Sequence, residues 1–236
     1  MIIASNFKTN HTRESTTAFL AHVEAYMKAN NVTDSVMVFP TATSLMQSEK
    51  IVVGAQNAYP VENGSFTGEI GMDQLNEYAI RSILIGHSER RHVMGEVQDL
   101  IEKKFDFFKT KDFIVTYCIG EPLDIRQKGL DAVMAYLHEQ IGGIDTGYEN
   151  LIVAYEPVWA IGTGVTATLE DIQATHDALK VKYGFTSLLY GGSVKVENVA
   201  SILGIDSVDG VLIGTASWEA EQFCEILNQS KQAKGE

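Results

Sequence analysis

Cysteine is scarce in this sequence. Cys118 and Cys224 are the only two, they sit in different kinds of segment, and neither a disulfide framework nor a paired metal site is expected from them. A reducing compartment suits such a chain. Proline is scarce as well, with four in 236 residues. No Pro/Ser/Gly-rich linker, charge block or low-complexity tract divides the halves, so a single domain over residues 1–236 is expected. Basic residues are outnumbered: 18 Lys and Arg face 31 Asp and Glu, a formal net charge of -13. That balance argues against nucleic acid or an anionic membrane surface as partner. No apolar run approaches the roughly twenty residues that span a bilayer. The start, Met1-Ile2-Ile3-Ala4-Ser5-Asn6, lacks the charged opening and long apolar stretch of a signal peptide. The expected location is the cytosol.

What the sequence does contain is a recurring alternation. Short β-rich apolar runs occupy residues 2–5, 36–39, 51–55, 83–85, 113–117, 151–155, 187–189 and 208–213. They are nearly continuous rather than alternating, as strands covered on both faces require. Amphipathic stretches of helical spacing fill residues 17–28, 97–108, 125–140 and 169–183, and residues 43–48 have room for about two helical turns. Eight strand candidates separated by helices suit a closed β/α barrel or an open doubly wound sheet. Periodicity alone does not separate the two.

In both folds ligands meet the loops that leave the carboxyl ends of the strands. The first such loop places Lys8 directly after a buried strand, although a lone lysine is most often a surface residue. The fourth reads Gly86-His87-Ser88-Glu89-Arg90-Arg91-His92, a dense polar cluster behind Ile83-Leu84-Ile85. His87 and His92 are five apart and no His-Glu-x-x-His pattern occurs, so zinc is not expected. Glu89, Arg90 and Arg91 suit either function or an ion-pair network. His87 is the catalytic candidate, kept neutral by the backbone N–H groups of a following helical turn. The sixth strand ends in Glu156, a natural general base if apolar neighbours raise its pKa. The segment Pro157-Val158-Trp159-Ala160-Ile161-Gly162-Thr163-Gly164 then supplies a stiff tip between hinges, a lid able to exclude water. Residues 162–167 also spell a GxGxxA fingerprint, but six residues separate these glycines from the strand, which a dinucleotide turn does not allow. Tyr190-Gly191-Gly192-Ser193 and Gly214-Thr215-Ala216-Ser217 let backbone N–H groups approach an anion. Barrels commonly build a phosphate site from these two loops together, and that favours the single eight-stranded parallel β/α barrel.

At these residues the chain resembles the triosephosphate isomerase family. The resemblance covers nearly the whole length, in order, through Asn6-Phe7-Lys8, Ala55-Gln56-Asn57, Gly68-Glu69, Gly86 to Arg91, Cys118-Ile119-Gly120-Glu121, Ala154 to Gly164 and Tyr190 to Ser193. It implies a TIM barrel that interconverts dihydroxyacetone phosphate and glyceraldehyde 3-phosphate with no metal and no organic cofactor. It further implies Glu156 as the base and His87 as the group that polarises the carbonyl. Lys8 and Asn6 would stabilise the enediolate. Backbone N–H groups of Gly162, Ser193, Gly214 and Thr215 would hold the phosphate, and Ile161 and Leu212 would clamp Glu156. A homodimer is implied, with the loop of residues 57–72 inserted beside the partner's site and Thr67 approaching it. The chain departs from the pattern at Thr215, where a second glycine is usual, at Val165 in the lid hinge and at Thr9. Cys118, Cys224 and His92 are expected to be structural. Two other readings fit the residues: a non-catalytic phosphate-binding barrel, and an isomerase or aldolase for a larger phosphorylated sugar.

Overall fold

The computed structural model describes residues 1–161 and 166–234. Its strands are β1 (Ile2–Asn6), β2 (Ser35–Phe39), β3 (Val52–Val53), β4 (Ser82–Ile85), β5 (Ile114–Ile119), β6 (Leu151–Tyr155), β7 (Leu188–Tyr190) and β8 (Gly210–Ile213). The named pairings are all parallel and run in the order β3-β2-β1-β8-β7-β6-β5-β4. The two ends of that sheet meet in a parallel bridge between Ala55 and Ile83, where the Ala55 N–H donates to the Ser82 carbonyl at 2.9 Å and the Leu84 N–H to that of Ala55 at 2.8 Å. The ring is thereby closed, and the barrel rather than the open sheet is the fold.

Helices alternate with the strands. They are α1 (Arg13–Ala29), α2 (Met72–Glu77), α3 (Ser88–His92), α4 (Gln98–Lys109), α5 (Leu123–Arg126), α6 (Leu130–Ile141), α7 (Leu169–Tyr183), α8 (Val196–Leu203) and α9 (Ala220–Lys234). The long helix expected over residues 125–140 is two helices, because Gly129 at φ +93° turns the chain between them. The turns expected over residues 43–48 contract to a 3₁₀ turn, Ala42–Ser44. The strand expected over residues 51–55 keeps two ladder residues before the closing bridge. Helices α8 and α9 complete the last two units beyond the periodic stretches read from sequence.

Strand geometry divides the core in two. Ala4, Met37, Leu84, Ala154, Leu189 and Leu212 pack with Phe39, Cys118 and Ile152 inside the barrel. The alternate residues, such as Ile3, Ile83, Ile85, Val153 and Val211, pack against the helices. Both faces of each strand are therefore apolar, which is why the strands read as continuous runs. At about 1.5–3 kcal/mol for each large side chain taken from water, these two layers are the principal favourable term for folding. Cys118 and Cys224 are buried and free.

Two predictions concern this scaffold. A Cβ at Gly210 would lie 1.9 Å from the Ile2 carbonyl oxygen across the β1–β8 pair. Gly210→Ala is expected to destabilise the protein by at least about 1–3 kcal/mol, read from the urea midpoint. His176, in α7, is fully buried, and burial lowers its pKa from 6.5 to about 4. The unfolded chain therefore takes up this proton as pH falls below about 6.5, while the folded chain does not until about 4. Stability should fall by roughly 1.4 kcal/mol per pH unit across that window from this residue, and His176→Asn should remove that share of the slope in urea unfolding at stepped pH.

Candidate active site

The inward register that builds the barrel interior continues past the strand ends. Counting by two from Ala4, Ala154, Leu189 and Leu212 leads to Asn6, Glu156, Gly191 and Gly214. These four line one cavity of about 740 Å³ at the carboxyl end of the barrel, together with Lys8, His87, Ile161, Ser193 and Thr215. Every candidate site residue within the described chain is thus brought to a single pocket, apart from Thr67 and Pro157 to Ala160. Gly162, Thr163 and Gly164, and with them Val165, lie outside the described residues.

Glu156 is 2% exposed, and its two oxygens are held from different directions. Oε1 lies 3.2 Å from His87 Nε2, and Oε2 accepts the Ser88 N–H at 3.2 Å. Its backbone and Cγ pass so close to their neighbours that a Cβ at Gly120 would meet the Glu156 carbonyl oxygen at 1.7 Å, and one at Gly191 would meet Cγ at 2.8 Å. Those two glycines are required by the seat of Glu156.

His87 caps α3 and its Nδ1 accepts the Glu89 N–H at 3.3 Å. Two contacts oppose each other on this ring: the helix start favours neutral imidazole, while the Glu156 carboxylate favours imidazolium. Burial lowers the His87 pKa, but Glu156 outweighs it and the net direction is up from 6.5. Glu156 shows the complement: burial raises its pKa, yet His87, the Ser88 N–H and Lys8 together bring it below 4.5. The expectations of a neutral His87 and a Glu156 of elevated pKa are therefore reversed in this arrangement, because the two groups touch each other.

Lys8 adopts φ +50°, an uncommon and costly conformation for a residue with a Cβ. Side chains far apart in sequence hold it there. The Lys8 N–H donates to Asn6 Oδ1 at 2.9 Å, Gln56 Nε2 donates to the carbonyls of Lys8 and Phe39 at 2.8 Å each, and Trp218 Nε1 donates to the Asn6 carbonyl at 3.1 Å. The ammonium reaches Glu89 Oε1 at 2.6 Å, and the stem passes Gly214, where a Cβ would sit 3.3 Å from Cε.

The polar cluster after β4 divides by role. Arg90 pairs with Glu96, which also accepts from the buried Lys104. Arg91 donates to the carbonyls of Gly86 at 2.7 Å and Cys118 at 3.1 Å. Arg91 braces the ends of β4 and β5, Arg90 holds the loop that follows α3, and among the described hydrogen bonds and ion pairs of these three side chains only Glu89 reaches a pocket residue, Lys8. Thr215 opens a 3₁₀ turn, Thr215–Ser217, and is not among the residues of positive φ, so threonine there carries no backbone strain. Ser88, Gln56, Gly120 and Trp218 were not singled out as site residues by sequence reasoning; Ser88, Gln56 and Gly120 stood only inside longer motifs. Thr67 is exposed on the loop after β3. Among the described residues no group of three or more His, Cys, Asp or Glu could hold a metal ion.

The His87–Glu156 contact contributes to stability most fully between about pH 4.5 and 6.5. Glu156, with lowered pKa, loses its share as pH falls through its folded pKa, and His87, with raised pKa, loses its share as pH rises through its own. Glu156→Gln should lower the His87 pKa to below 6.5, because burial and Lys8 then act unopposed by that carboxylate. The measurement is the nitrogen-15 chemical shift of the His87 ring against pH in both proteins; an unchanged midpoint would refute the coupling.

Sequence comparison agrees with this geometry. The family model for triosephosphate isomerase matches residues 1–230. A triosephosphate isomerase of Sulfurimonas denitrificans is 56% identical over 232 residues, covering 98% of this chain and 96% of that protein. One of Sulfurovum sp. (strain NBC37-1) is 53% identical over 228 residues, covering 96% and 99%. One of Helicobacter pylori (strain P12) is 50% identical over 230 residues, covering 96% and 98%. With its closed ring of eight parallel strands and one polar pocket at their carboxyl ends, the chain belongs to the triosephosphate isomerase family.

Proposed function

We propose that this chain is the isomerase that interconverts dihydroxyacetone phosphate and D-glyceraldehyde 3-phosphate, with its own side chains carrying every proton. The observation that carries the reading is the meeting of Asn6, Lys8, His87 and Glu156 with two glycine turns in one cavity. Glu156 removes the proton from the carbon beside the carbonyl and returns it to the neighbouring carbon. His87 moves protons between the two oxygens, while Lys8 and Asn6 stabilise the enediolate charge. Backbone N–H groups of Gly162, Ser193, Gly214 and Thr215 bind the phosphate.

The His87–Glu156 contact defines what must change during turnover. His87 is the leading cause that lowers the Glu156 pKa, and burial is the cause that raises it. When His87 turns to the substrate oxygens and the lid, Pro157 to Gly164, closes with Ile161 and Leu212 against Glu156, desolvation is left to act on the carboxylate and makes it a stronger base. Exclusion of water also protects an enediolate phosphate from losing its phosphate.

Residues 1–236 serve as one barrel domain, supported by a core that joins all eight strands. No helix among the described residues is long and apolar enough to cross a membrane, and with two unpaired cysteines this supports a cytoplasmic setting. A homodimer is supported by the loop of residues 57–72, where Phe66 stays 41% exposed beside Thr67, and by exposed Val93, Met94 and Val97 after the catalytic helical turn.

In a coupled assay the purified protein should interconvert the two triose phosphates, and Glu156→Gln should lower kcat by about 10²–10⁴-fold with KM little changed. Full turnover in that variant would remove Glu156 from its role. Light scattering at micromolar concentration should return twice the chain mass, and Phe66→Asp should shift it toward the monomer.

A further inference from the structure

The buried face of α6 carries Val133, Leu137, Gln140 and Ile141, and the glutamine is its only polar member. A side-chain amide holds such a place through the bonds it makes there, since burying it without partners is costly. Gln140 is 7% exposed, and both ends of its amide are spent on one residue. Oε1 accepts the Gly120 N–H at 2.8 Å and Nε2 donates to the Gly120 carbonyl at 3.0 Å. The amide pairs with Gly120 as a neighbouring strand residue would, one step beyond the end of β5.

Gly120 is in turn the surface on which Glu156 sits. A Cβ at Gly120 would fall 1.7 Å from the Glu156 carbonyl oxygen and 3.4 Å from its Cα, so the two backbones are in direct contact. Backbone bonds flank that contact: the Glu156 N–H donates to the Ile119 carbonyl at 2.7 Å and the Val158 N–H to that of Glu121 at 3.1 Å. Where residues 119–121 go, the Glu156 backbone goes with them. Gln140 is also anchored from the His87 side. Its backbone carbonyl accepts from the Tyr117 hydroxyl at 2.8 Å and from Gln98 Nε2 at 2.9 Å. Gln98 Oε1 accepts from Arg91 Nη1 at 2.6 Å, and Arg91 Nε donates at 2.7 Å to the carbonyl of Gly86, the residue before His87. A continuous path of hydrogen bonds through α3, α4 and α6 thus joins the backbone beside His87 to the backbone against Glu156. Arg91, Gln98 and Gln140 are all outside the lining of the larger cavity.

We propose that Gln140 is a positioning residue for the reaction: by clamping both backbone groups of Gly120 it fixes the Glu156 carboxylate against His87. Its effect on turnover rests on the isomerase reading; its effect on geometry does not. Glu156 Oε1 lies 3.2 Å from His87 Nε2, and a misplacement of about 1 Å in a reacting group costs on the order of a hundredfold in rate. Two hydrogen bonds to one residue resist both sliding and rotation of the segment, whereas a single bond would leave a pivot.

Gln140→Met keeps the size of the side chain and removes both bonds. In the coupled triose phosphate assay kcat should fall about 10–100-fold with KM little changed. The nitrogen-15 midpoint of the His87 ring in the free protein should move down from its wild-type value, since the carboxylate that raises it is no longer held in place. Gln140→Asn, one methylene too short to reach both groups of Gly120, should act in the same direction and serves should the Met variant fail to fold. Leu137→Ala loosens the same face of α6 without touching the amide pair and should leave both readings at their wild-type values. The proposal is overturned by an unmoved His87 midpoint or a wild-type kcat in a folded Gln140 variant, by equal shifts in Leu137→Ala, or by loss of the fold in both Gln140 variants, which would make the clamp structural only. Absence of turnover in the wild-type protein, with the midpoint shift present, would reject the isomerase reading and leave the positioning of Glu156 standing.

Discussion

Closure of eight parallel strands into a ring is the constraint on which the rest of this protein depends. A side chain in a strand points to alternate faces, so closure assigns every second residue to the barrel interior. The assignment does not stop where hydrogen bonding stops. Asn6, Glu156, Gly191 and Gly214 lie one step beyond Ala4, Ala154, Leu189 and Leu212 on the same face, and the site is in effect the last layer of the barrel, built from polar and glycine residues. The close passages at Gly120, Gly191 and Gly210 follow from the same crowding.

Electrostatics at the rim is organised by pairs that hold one another. Lys8 pairs with Glu89 and His87 pairs with Glu156, so each group with a proton or charge to contribute is paired within the protein. Burial makes both members of the second pair costly to charge alone, and contact makes them inexpensive to charge together. A substrate that separates the pair would return each group to the control of its desolvated surroundings. The costs are met by bracing farther out: Gln56 and Trp218 hold the Asn6–Lys8 segment, while Arg91 ties the ends of β4 and β5 together.

The opposite mouth of the barrel obeys the same geometry with a different outcome. There a smaller cavity lies beside the short β3, and the inward-facing hydroxyl of Ser82 is buried without a partner among the described residues. A closed ring tolerates one thin seam because the remaining strand pairs and both hydrophobic layers hold it shut.

Much of this was readable from the linear sequence. Continuous apolar runs marked both-face burial, and the polar and glycine residues that follow them, His87, Glu156, Gly191 and Gly214, marked the rim that lines the larger cavity. Element ends were less legible: the break at Gly129 and the short β3 depend on where neighbouring chains pass, which no local pattern records. The directions in which the His87 and Glu156 pKa values shift were not legible, because local reasoning weighs a helix start and apolar neighbours but not a partner 69 residues away. By itself the sequence determined the alternation of strand and helix and the chemistry available at each strand end, since both depend on residues close along the chain. Tertiary structure alone decided closure of the ring, the His87–Glu156 contact, the strained seat of Lys8 and the cavity beside Ser82, because each requires segments distant in sequence to meet at ångström range.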